Sequence, residues 1–245
     1  MRRLQIRWAV HYTRGVIPSF DVVPEIDLPA GDDCGYPTRE EISEDGFGYF
    51  RGTWRIGHIR VSEARRAVDF ERELVDALDA VALNGREYEV LANAVEEFEP
   101  DDEFPMVLRG TPVEGILGRV DENSQLGGLE IGVAGLTYAL SSVGFLTAAS
   151  CRAHEGANSW SDCPVVLFGA HKWRAVELAD LAARAECGIG QGREMLTVYA
   201  QSIRGLMSLA DLVLASRASF RPGPNHHGRP QRTQRGMAEQ GTLGL

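Results

Sequence analysis

The chain predicts an α/β fold, with α+β as the alternative, in which helices pack on a small mixed sheet. Three observations carry this. Past residue 126 the pattern runs helix, strand, strand, helix, strand, helix, an order that places helices on one or both faces of a sheet. Val165, Val166, Leu167 and Phe168 are apolar on consecutive residues, as in a strand buried on both sides. Two apolar stripes flank that run: Leu129, Val133, Leu136 and Leu140 before it, and Leu178, Leu181, Ala182 and Ala185 after it. Each has the spacing that lines one face of a helix.

The length of 245 residues allows one large domain or two small ones. The net charge of −10 argues against broad nucleic-acid binding through the field of the whole protein. The charge is uneven: residues 87–103 are strongly acidic, whereas residues 216–238 hold five arginines and no acid. No apolar run reaches the roughly 18–20 residues of a membrane span. The segment LQIRWAV is broken by Arg7 and too short for a signal-peptide core. A cytoplasmic location is the expectation. Cys34, Cys151, Cys163 and Cys187 are few and widely spread, which favours reduced thiols over a disulfide framework.

Taken in order, residues 4–10 read as a strand with residues 16–23 as its partner. Residues 24–48, rich in Pro, Gly and acids, read as a long surface loop. Asp27, Asp32 and Asp33 lie in it without the ordered alternation of a calcium loop. Residues 47–61 hold aromatics, β-branched residues and Arg51, Arg55 and Arg60, the pattern of one or two strands with a basic outer face. Ser62 is placed to cap a helix with the stripe Phe70, Leu74, Leu78 and Val81, stopped by Asn84-Gly85. Residues 86–98 form a second helix, ended before Pro100, and the two make a helical pair with acidic outer faces. Residues 106–125 read as a strand and turns, with a domain boundary near 121–125. Three regions follow: residues 1–125, a compact module over 126–216, and a disordered Arg-rich tail over 217–245.

In the module, Gly132 and Gly135 interrupt the first stripe and imply close approach by a neighbouring element or a ligand, with packing the leading reason. Gly144 suits the residue after a helix. Residues 147–150 read as a strand delivering Cys151 at its end, where α/β folds carry function. Residues 173–186 form a helix, residues 188–192 a glycine-rich turn, and residues 195–200 a strand. Ser202 caps a last helix that turns Ile203, Leu206, Ala210, Val213 and Leu214 inward.

The densest chemistry lies between Cys151 and His171. Cys151, His154 and Cys163 form a partial zinc set with an open position, and His171 would make it four. His171 lies beyond a predicted strand spanning about 17 Å, too far to share a small site. Cys151 is also a candidate nucleophile with His154 as base, Arg152 supporting a thiolate and Asp162 orienting the imidazole. Ser150, Arg152 and Asp162 are candidate ligand-binding residues, since a hydroxyl and a guanidinium suit an anionic group.

The stretch containing Gly144, Thr147, Ser150, Cys151 and His154 resembles the Tyw3-like group, in which a helix and a glycine lead to a Thr-bearing strand and then Ser-Cys-x-Gly-Arg or Ser-Cys-x-Gly-His. The resemblance covers residues 129–214. It implies a small α/β domain presenting a Ser-Cys-x-x-His loop to a small-molecule or RNA ligand, in a group known for tRNA-base methylation. Ala153 stands where the group has glycine, which puts a left-handed backbone there in question. A different class of function also fits the sequence: a non-catalytic interaction protein in which Cys151 is structural. An open pocket lined by Ser150, Cys151, Arg152 and His154 would favour a ligand site. A Cys151 surrounded only by apolar groups would favour the other.

Overall fold

A computed structural model of the chain describes residues 16–31, 33–38, 42, 59–99, 101–119, 126–154, 159–192 and 195–221. The strands expected at 4–10 and across 47–58, and the tail beyond 221, lie outside the described residues. The architecture is a mixture of helices and sheet, as expected. Four strands pair in the order β2 (Leu146–Cys151), β3 (Val165–His171), β5 (Met195–Ala200), β4 (Cys187–Gly192), and every pairing is antiparallel. A two-residue strand β1 (Asp33–Cys34) pairs with the C-terminal end of β3. The parallel component expected of a mixed sheet is a single bridge, Ile26 to Ile189.

The described part of residues 24–48 therefore does more than loop through solvent. Asp27 donates its N–H to the Ile189 carbonyl at 2.7 Å, and Cys34 is buried against the sheet. Residues 16–23 form no described strand.

Helix α1 (Val61–Val81) buries Ala64, Val68, Glu71, Leu74, Val75 and Leu78. Arg60, not Ser62, precedes it, and no side chain caps it. Helix α2 (Gly85–Glu96) opens on a reciprocal cap: the Asn84 side chain accepts the Glu87 N–H at 3.0 Å, and the Glu87 carboxylate accepts the Leu83 N–H at 2.8 Å. Asn84 thus starts the second helix as well as following the first. The strand expected after residue 106 is instead a single 3-10 turn (Met106–Leu108) and a short helix α3 (Pro112–Leu117). Pro112 in its first turn has the φ that a helix start needs.

Helix α4 (Ala134–Ser142) starts later than the apolar stripe suggests. Gly132 has φ +89°, which a right-handed helix does not accommodate. The two glycines are explained by packing. A Cβ on Gly132 would lie 2.4 Å from the Cβ of Ile203, and one on Gly135 would lie 2.4 Å from Glu71 Oε2 and 3.3 Å from the Val68 Cα. Helices α1 and α6 (Ile203–Ala215) therefore approach α4 at backbone distance. Gly144, at φ +88°, ends α4 as expected. The Phe145 N–H reaches the Leu140 carbonyl and the Gly144 N–H that of Ser141, the paired bonds of a Schellman ending.

Helix α5 (Lys172–Arg184) follows β3 directly. The glycine-rich turn expected at 188–192 is strand β4, and a Cβ on Gly188 would strike the Tyr199 ring of β5. The stripe Ile203, Leu206, Ala210, Val213 and Leu214 is buried throughout.

Two large apolar clusters form the core, beside a small one around Leu146 and Ala148. One joins the sheet to α4, α5 and α6 around Leu140, Phe145, Phe168, Leu178 and Leu214. The other lies under α1 and α2 around Leu74, Leu78, Tyr88, Leu108 and Ile131. Helix α1 contributes Ala64 and Val68 to the first and Leu74 and Leu78 to the second, while Ile203 and Met207 of α6 join the second. Residues 121–125, where a division is expected, lie outside the described residues. The expected tail boundary moves: Phe220 is only 2% exposed and meets Phe145 edge-on at 5.5 Å, so the packed body continues past Ser216.

Candidate functional site

Strand β2 is buried along nearly its whole length and ends at Cys151, whose side chain is fully buried. The chain then turns sharply. Ala153 adopts φ +62°, the left-handed conformation that alanine resists by roughly 1–2 kcal/mol. The glycine-like backbone in question at this position is therefore present with alanine. The turn folds the Ala153 N–H back to the Cys151 sulfur at 3.4 Å and brings His154 beside Glu130, Nε2 to Oε1 3.4 Å. Glu130 sits in the irregular segment before α4, and its other oxygen accepts the Arg152 N–H at 2.6 Å. One ligating atom each from Glu130, Cys151 and His154 lie within 4.8 Å of one another. Ser159 Oγ approaches the same sulfur at 3.6 Å.

The expected residues divide into three groups. Cys151 and His154 converge. The third group within 4.8 Å of both is Glu130, and Cys163 is not among those three. Burial pushes the Cys163 thiol up to about 11, so it is a neutral thiol near neutral pH, with Ser161 hydrogen-bonded to its backbone. His171 stacks on Tyr36 at 3.9 Å at the far end of β3, in agreement with its exclusion on distance. Ser150 is half-buried in β2 opposite Val166. Asp162 is exposed, and among the described residues it is Glu130 that partners His154.

Arg152 requires the largest revision. Expected to face a ligand, it is only 3% exposed and its guanidinium turns onto α2. Nε donates to Glu96 Oε1 at 2.8 Å, Nη1 to Glu89 Oε2 at 2.5 Å, and Nη2 to Asn93 Oδ1 and, at 3.4 Å, to Glu96 Oε2. Burial works against its charge, but the Glu96 and Glu89 carboxylates outweigh it and hold the group above the usual arginine range. Glu96 is itself raised by burial, with Arg152 opposing. These acids belong to the run that sequence assigns to a solvated face. Nearby, burial also raises Tyr88, whose hydroxyl has no partner. A cavity of about 500 Å³ borders Glu96 and is walled by Phe70, Leu74, Val95 and Leu129. None of Ser150, Cys151, Arg152 or His154 lines it.

No family model, curated protein or solved structure matches this chain. A thiol, an imidazole and a carboxylate together suit a borderline divalent metal such as zinc, which accepts sulfur, nitrogen and oxygen ligands. Three protein ligands leave one tetrahedral position for a bound ligand. Glu89, Glu96 and Glu130 surround one arginine, so the cluster is acidic enough to favour a cation. The sequence contained a signal for the missed acids: an arginine directly after a buried strand requires carboxylate partners, and Glu89, Asn93 and Glu96 recur on one helix face.

Proposed function

We propose that the chain binds zinc through Cys151, His154 and Glu130 and uses the remaining coordination position to hold a small-molecule ligand. The observation that carries this reading is the approach of three chemically matched groups within 4.8 Å from two separate segments. The zinc ion would hold Cys151 as a thiolate. Two donors already serve the sulfur and the carboxylate: the Ala153 N–H faces Cys151, and the Arg152 N–H faces Glu130. Such outer contacts orient ligands and fix their protonation. The acidic surround disfavours a polyphosphate backbone, so a small molecule suits the position better than RNA.

A second reading uses the same residues as a Cys–His–Glu nucleophile set, favoured by the Glu130 contact to His154 at 3.4 Å. The full burial of Cys151 suits an ion better than attack on a bulky substrate.

Metal analysis of the full-length chain, purified without chelator, tests the proposal. About one equivalent of zinc is expected, and each of Cys151→Ser, His154→Gln and Glu130→Gln should reduce it. Zinc at 100 times its Kd should add about 2.7 kcal/mol of stability. Wild-type protein that neither contains zinc nor gains stability from added zinc would remove the metal reading. Alkylation of Cys151 that depends on His154 in metal-free protein would then favour the nucleophile.

A further inference from the structure

We infer that Glu96 is the positioning residue of this site, because its single carboxylate holds both chain segments that deliver the ligands. The inference rests on the metal reading. Glu96 Oε1 accepts the Ile131 N–H and the Arg152 Nε–H, each at 2.8 Å. Ile131 directly follows the ligand Glu130, and Arg152 directly follows the ligand Cys151. One oxygen on α2 therefore joins the segment before α4 to the turn after β2. No other contact described here spans both segments from a third element in this way. The direct link between them, Glu130 Oε2 to the Arg152 N–H, closes a ring of three hydrogen bonds through Glu96.

The neighbours on α2 act on one segment only. Glu89 and Asn93 hold the Arg152 guanidinium and make no contact with Ile131 or Glu130 among the hydrogen bonds described. They are the natural comparison. Losing Glu89 loosens the arginine. Losing Glu96 frees both ligand-bearing segments and leaves a buried guanidinium with less of its charge opposed. Outer-shell partners of metal ligands typically account for 10–100-fold in metal affinity, and a residue that serves two ligand segments should fall in that range.

Cobalt(II) is titrated into the full-length chain, with the thiolate-to-metal charge-transfer band reporting on Cys151 and the visible bands on coordination geometry. Cys151→Ser should abolish the charge-transfer band. Glu96→Ala should weaken binding about 10–100-fold and alter the visible spectrum. Glu96→Gln keeps an acceptor for both N–H groups and should recover most of the loss, whereas Glu89→Ala should have the smaller effect. Far-UV circular dichroism checks folding, and Glu96→Asp, whose shorter side chain keeps the charge but cannot reach both N–H groups at once, should also weaken binding and carries the test if Glu96→Ala does not fold. A second arm needs no metal: iodoacetamide alkylation of Cys151 in the folded, metal-free chain, followed by mass spectrometry, should be severalfold faster in Glu96→Ala, or in Glu96→Asp in its place, than in Glu89→Ala. Wild-type affinity and spectrum in Glu96→Ala, or in Glu96→Asp where the alanine variant does not fold, would overturn the inference, as would unchanged alkylation. If the wild type shows no Cys151-dependent cobalt band, the metal reading fails, and the alkylation arm alone decides whether Glu96 holds the turn.

Discussion

Glu71 is a fully buried carboxyl on α1 that meets the start of α4. Its Oε1 accepts the N–H groups of Gly132 and Gly135 at 2.8 and 3.1 Å, while Oε2 has no partner. Burial pushes its pKa from the ordinary 4.5 to about 7, against the opposing pull of those backbone N–H groups and of Arg72. The folded state thus holds this proton more tightly than the unfolded chain does. The stabilising effect of the protonated form is complete below about pH 4.5 and is lost as pH rises toward 7. Ionising the buried group costs on the order of 3 kcal/mol at pH 8. Glu71→Gln keeps an oxygen for the two N–H groups and removes the ionisation. Its amide, where Oε2 has no partner, costs about 1 kcal/mol or more. The variant should therefore be about 1–2 kcal/mol more stable than wild type at pH 8, and equal or slightly less stable at pH 5. Urea unfolding followed by circular dichroism at four pH values from 5 to 8 gives the difference curve, from which titrations elsewhere cancel. A difference that stays within about 0.5 kcal/mol across that range would refute the reasoning and place the Glu71 proton outside the folding equilibrium.

Two further outcomes follow from the same packing. Truncation at Ser216 removes Phe220 from its contacts with the core and should cost about 3–5 kcal/mol; Phe220→Ala in the full-length chain, measured by urea unfolding, should reproduce most of that loss. At Ala153, with φ +62°, substitution by glycine should be neutral or stabilise by up to about 1 kcal/mol. Valine there should destabilise by more than about 1 kcal/mol, as a fall in Tm, and equal Tm values for the two variants would remove the strain from the argument.

The elements were legible where the signal is local. The apolar stripes of α1, α5 and α6, the runs of β2, β3 and β5, and the ending of α4 at Gly144 all follow from spacing and composition. The misassigned elements have local signals that tertiary contacts override. Glycines at 188–192 suggest a turn, yet pairing with β5 and the Tyr199 ring make them a strand. Phe220 sits in a polar, arginine-bearing stretch, and only its contact with Phe145 shows that the stretch is packed.

The site shows the same limit more sharply. Cys151 and His154 are three residues apart, and a strand end followed by Cys-x-x-His can be read directly. Glu130 is 22 residues from Arg152, and Glu96 is 56 residues from it, so their arrival depends on how α2 and α4 dock on the sheet. Helical periodicity shows that Glu89, Asn93 and Glu96 share one face; it does not show whether that face meets water or a buried arginine. The decisive clue is a matter of energetics. Arg152 follows a strand buried along nearly its whole length, and burying its charge without opposite charge would cost several kcal/mol. Such an arginine needs acids, and Glu89 and Glu96 on α2 supply them. The excess of carboxylate remaining after that pairing points in turn to a cation, and the only thiol–imidazole pair among the described residues within reach of Glu130 is Cys151 and His154. Charge compensation thus links the buried arginine, the acidic helix and the metal reading into one argument, which spacing alone does not supply.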